Sequence, residues 1–144
     1  MTYNEGVKVG YKWYDAENKT VLFPFGYGLS YTTFSYSNLK VTLGQNPRVS
    51  FTVTDTGSKA GTEIAEVYAS LPASAEEPPK RLVGWSKVVL NAGESKEAEV
   101  EVDPKYLSIF SVEKNGWQLI PGEYSFMVGG SSQDLPLKES VSLN

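Results

Sequence analysis

The chain of 144 residues is two-fifths apolar, which suits one globular domain built on a single core. Its 17 acidic and 13 basic residues leave a net charge of -4, so nothing draws it to a nucleic-acid backbone or an anionic membrane surface. Histidine and cysteine are both missing, which removes the commonest general base, the commonest metal ligand, every thiolate nucleophile and every disulfide; neither a metal nor a cofactor is expected.

No apolar run approaches the roughly 18 residues a bilayer-spanning helix needs, and the opening Met1-Thr2-Tyr3-Asn4-Glu5 lacks the features of a signal peptide. Ten of the eighteen aromatic residues fall within the first 36 positions, which sets that stretch apart. Gly6, Gly10, Pro24, Gly26 and Gly28 punctuate it, predicting short extended pieces rather than a helix.

From Tyr36 onward the pattern is of strands. Leu39, Val41 and Leu43 alternate with polar residues, as do Val49, Phe51 and Val53. After turn signals at Asp55-Thr56-Gly57 and Ala60-Gly61, a third strand turns Ala65, Val67, Ala69 and Leu71 inward and sets Glu66, Tyr68 and Ser70 on the opposite face. Pro72 to Lys80 reads as an exposed loop, and Arg81 to Leu90 as a fourth strand. In Lys96 to Val102, Ala98, Val100 and Val102 face in while Glu97, Glu99 and Glu101 face out. Tyr106 to Val112 and Trp117 to Ile120 flank the turn dipeptide Asn115-Gly116; Tyr124, Phe126 and Val128 form a further strand, and Val141 with Leu143 a last one.

Seven or eight short strands at regular spacing, with no useful helical period, predict an all-β, immunoglobulin-like sandwich. Tyr124, just after Pro121-Gly122, stands where the hydroxyl of a corner tyrosine bonds back to upstream backbone.

Two long motifs carry a family resemblance. Tyr3-Asn4-Glu5-Gly6-Val7-Lys8-Val9-Gly10-Tyr11-Lys12-Trp13-Tyr14-Asp15 and Leu22-Phe23-Pro24-Phe25-Gly26-Tyr27-Gly28-Leu29-Ser30-Tyr31-Thr32-Thr33-Phe34 are similar to stretches of family 3 glycoside hydrolases, which include β-glucosidases and β-xylosidases. Val53 to Gly57, Pro79 to Val88, Pro121 to Tyr124 and Gly130 to Ser132 resemble the C-terminal fibronectin type III-like domain of the same enzymes. The chain departs only at Lys12, where arginine is usual, and Trp85, where phenylalanine is usual. The resemblance implies a sandwich over residues 36–144, preceded by a linker, residues 1–35, from an α/β domain. It implies a parent that hydrolyses β-linked sugars with retention and is secreted or periplasmic. In such enzymes the nucleophilic aspartate and the acid/base carboxylate lie upstream, and no position here matches either.

Other signals have plainer readings. Glu97, Glu99 and Glu101 are a solvated face rather than an acid and base pair, and Glu76-Glu77 sits in a proline-rich loop. Gly26-Tyr27-Gly28 is a backbone bend, because no helix pattern follows it to face a phosphate. Asn18-Lys19-Thr20 is an N-glycosylation sequon, which matters only in a eukaryotic secretory lumen.

The early aromatics Tyr11, Trp13, Tyr14, Phe23, Phe25 and Tyr27 are the candidate contact residues. Their expected partner is the parent's catalytic domains; the competing reading is an autonomous module that binds plant cell-wall polysaccharide or lignin. Residues near Phe25 to Phe34 are expected to fold back on the sandwich, and Tyr3 to Tyr14 to attach more loosely.

Overall fold

The computed structural model describes residue 4 and residues 6–143. Among the described residues nine strands, all paired antiparallel, build the domain. One sheet has the order β1-β2-β5, from Phe34–Thr42, Arg48–Asp55 and Ser95–Glu101. The other runs β4-β3-β8-β9, from Arg81–Leu90, Gly61–Ser70, Gly122–Gly129 and Leu137–Leu143. Between β5 and β8 a separate hairpin projects, formed by β6, Ser108–Ser111, and β7, Gly116–Leu119.

The two sheets meet through the faces that alternation marks. Val49, Phe51 and Val53 of β2 and Ala98 and Val100 of β5 pack against Ala65, Val67 and Ala69 of β3, Val88 and Leu90 of β4, and Tyr124, Phe126 and Val128 of β8. Glu97, Glu99 and Glu101 point to solvent, where Arg48 bridges the last two at 3.5 and 3.4 Å.

β1 begins at Phe34, two residues ahead of the alternation that starts at Tyr36. Its register slips between Ser37 and Lys40, where Asn38 takes φ 56° and a bulge bends this edge strand. Tyr124 donates its hydroxyl to the Ile120 carbonyl at 2.8 Å and lies within reach of the Leu107 carbonyl at 3.3 Å, closing the expected corner.

Two expectations need correction. The first 33 residues contain a helix, α1, at Tyr11–Ala16. Its six residues form well under the length at which a helix stands alone, so tertiary contacts hold it; Gly10, at φ 58°, turns the chain into it. In its second half strand β3 is not half-buried: Glu66 and Tyr68, on its outer face, are 7 % and 0 % exposed, while Ile64 on the same face stays exposed. That face is roofed by the segment from Tyr11 to Thr33, the strap.

Candidate partner-contact face

The strap is fastened to the sandwich at several points along its length. At its start, the Tyr11 ring stands edge-on to Tyr68 at 5.7 Å and against Phe25 at 5.2 Å, while its hydroxyl accepts the Leu82 amide of β4 at 2.7 Å. Asp15 on α1 pairs with Lys80 at 2.7 Å, both side chains largely buried. In the middle, the Phe25 carbonyl accepts from the Ser132 amide at 2.8 Å.

Gly26 crosses directly above Glu66. A side chain at position 26 would set its Cβ 2.4 Å from Glu66 Oε2, and the φ of +84° disfavours any residue but glycine. Glu66 in turn accepts the Tyr68 hydroxyl at 2.6 Å, so the two polar groups roofed by the strap satisfy one another. At the strap's end, Thr32 donates to buried Asp55 at 2.6 Å, and the Thr33 carbonyl accepts the Thr56 amide at 2.8 Å. Gly57 lies against Thr32 so closely that its missing side chain is a condition of the contact.

The fold-back expected near Phe25 to Phe34 is present at Phe25, Gly26, Thr32 and Thr33, although Leu29 and Tyr31 between them are exposed. The looser attachment expected before it needs correction: Tyr11, and Asp15 just after that stretch, are firmly seated, and Tyr3 lies outside the described residues. The physical reason is that Tyr11 and Asp15 find fixed partners on β3 and β4, whereas Leu29 and Tyr31 lie on the solvent side of the bend.

The six candidate aromatics divide accordingly. Tyr11 is turned onto the sheet. Trp13 is half-buried, edge-on to Tyr14 at 5.1 Å, with the Lys19 ammonium 4.3 Å from its ring. Phe23 and Tyr27 stack at 5.4 Å and are exposed, as are Tyr14 and Phe25. Three apolar residues absent from that group are more exposed than any of it: Leu22 at 86 %, Leu29 at 91 % and Tyr31 at 93 %. Their signal was available, since all three belong to the Leu22 to Phe34 motif.

Two depressions flank this surface. A recess of about 230 Å³ is lined by Tyr11, Tyr14, Val21, Phe23 and Phe25. A shallower groove of about 700 Å³ runs between the bend at Tyr27 to Leu29 and Tyr36, Glu63 and Asp134 of the sandwich. Burial raises the Glu66 and Glu63 carboxyls above the ordinary carboxylate range, while hydrogen bonds from Tyr68 and Tyr36 pull them partly back. Glu63 and Glu66 alternate to opposite faces of β3, so they do not converge as an acid and base pair across one substrate. Among the described residues no group of three or more acidic side chains is placed to hold a metal ion.

The β6 and β7 hairpin carries a second exposed pair, Phe110 and Trp117, edge-on at 5.8 Å with Lys105 5.2 Å above the indole. Arg81 fixes its base by donating to the Ser108 carbonyl at 3.0 Å.

Sandwich topology and corner tyrosine together mark a fibronectin type III-like domain, and residues 63–132 match the family model of that description. The chain is 42 % identical over 149 residues to β-glucosidase B of Emericella nidulans, covering 99 % of this chain and 18 % of that enzyme. Its fold superposes on the β-glucosidase DesR of Streptomyces venezuelae with a TM-score of 0.95 at 38 % identity, covering 100 % of this chain and 19 % of that one. The GH3 β-glucosidase of Bifidobacterium adolescentis gives 0.92 at 39 %, covering 98 % and 21 %. The chain thus spans about a fifth of the length of the relatives it matches. The chain matches the C-terminal fibronectin type III-like accessory domain of glycoside hydrolase family 3 enzymes and not their catalytic domains.

Proposed function

We propose that this domain buttresses the catalytic domains of a family 3 β-glycosidase, seating them on the outward side of the strap, with residues 1–35 as the linker and 36–144 as the support. The observation that carries the reading is the contrast within the strap itself. Tyr11, Asp15 and Thr32 rivet it to the sandwich, yet Leu22, Phe23, Leu29 and Tyr31 are held out in water on the same short segment. Fixing a segment in a single conformation while leaving its largest apolar side chains uncovered is unfavourable for an isolated domain and favourable for one that presents them to a partner. That the chain spans about a fifth of its relatives supports a partner of this kind, the remaining domains of such an enzyme.

The test is to replace Leu29 and Tyr31 together by serine in the full-length parent and in the 144-residue chain. The parent should inactivate faster on heating while the isolated chain melts unchanged. Equal heat resistance of the two parents, with retention of the isolated chain on insoluble cellulose, xylan or lignin, would favour a polymer-binding module instead.

A further inference from the structure

We propose that the strap is a pH-responsive clasp, closed over Glu66 when that carboxyl is protonated and loosened when it is charged. Glu66 lies on an inner strand of its sheet, 7 % exposed, with Gly26 of the strap pressed onto its carboxyl group. Its hydrogen-bond partner is the neutral Tyr68 hydroxyl, and it has no ion-pair partner among the described residues. The surrounding charge is unfavourable to a carboxylate. On its own face it meets the Tyr68 hydroxyl and, from the strap, Tyr11; the charge of Glu63, on the other face of β3, bonded to Tyr36 of β1 and facing Asp134, adds to the repulsion. The nearby cations of β4 and its approach are engaged elsewhere, Lys80 with Asp15 and Arg81 with Glu77.

Lifting the strap returns Glu66 to water, where its carboxyl titrates in the ordinary range. Closure desolvates it and raises its pKa above 4.5, the neighbouring Glu63 adding to the rise. The closed form therefore binds a proton that the open form releases. Closure is strongest at or below the ordinary carboxylate pKa and weakens as pH rises through the raised one, above which the loss is complete.

Hydrogen exchange of the amides of residues 11–33 and of Leu82 and Ser132, expressed as protection factors so that the intrinsic pH dependence cancels, reads the clasp directly. In the whole chain, protection should fall severalfold between pH 4 and pH 8, and Glu66→Gln should hold it level. Tyr68→Phe, which removes the bond that favours the charged form, should move the midpoint to higher pH; Glu63→Gln should move it lower without abolishing it. An equal fall in the wild type and Glu66→Gln, or a midpoint that Tyr68→Phe leaves in place, overturns the proposal.

Discussion

The hydroxyl of Tyr124 lies 2.8 Å from the carbonyl oxygen of Ile120, four residues upstream, and ties the start of β8 to the chain that enters it. The ring is fully buried between the sheets. Tyr124→Phe keeps the ring and strands the carbonyl, so unfolding by denaturant should show a loss of about 1 kcal/mol or somewhat more. An unchanged midpoint and slope would separate Tyr124 from the corner role.

Gly26 and Glu66 form a steric pair. Gly26→Ala places a methyl group where the carboxyl lies and forces φ +84° on an alanine. A cost of about 1 to 3 kcal/mol follows from the strained backbone and the displaced side chain. Glu66→Ala in the same background should recover only the steric share. Thermal melts of the two single variants and the double variant measure it; strict additivity would mean that the two residues do not touch.

The ion pairs sort by burial. Asp15 and Lys80 are largely enclosed, so Asp15→Ala leaves an ammonium without its partner and should cost on the order of 1 kcal/mol or more. Arg48 bridges Glu99 and Glu101 in the open, and Glu99→Gln should stay within about 0.5 kcal/mol, with any effect fading in added salt. Equal losses for the two variants would contradict the distinction.

Much of this was legible in the sequence, and the exceptions share a cause. The alternation of Glu97, Glu99 and Glu101 with apolar neighbours marks β5 without ambiguity, and Pro121-Gly122 before Tyr124 marks the corner. Strand β3 misleads because Glu66 and Tyr68 resemble a solvated face; they can be buried only because the hydroxyl of one satisfies the carboxyl of the other, a pairing that polarity patterns do not record. Helix α1 is not legible because six residues following a glycine carry no helical period, and its stability comes from Leu82 and Lys80, some 70 residues away in the chain. In the contact face, the aromatic composition drew notice to Tyr11 and Phe23, but which of them turn inward depends on Tyr68 beneath.

The same dependence governs truncation. Removing residues 1–16 takes away Tyr11 and Asp15 and uncovers Tyr68, so the shortened sandwich should melt several degrees lower, at about 4 °C per kcal/mol for a domain near this size. A melt unchanged by the truncation would mean that the first part of the strap adds nothing to stability.

Oxidative footprinting of Leu29, Tyr31 and Phe23 in the isolated chain and in the full-length parent tests the seating of the catalytic domains most directly. These side chains are exposed in the domain alone, with Tyr31 93 % and Leu29 91 % accessible, and should label readily there. The account predicts severalfold protection of all three in the parent, with exposed Val112, in the turn between β6 and β7, as an internal reference. Equal labelling in the two proteins would contradict it.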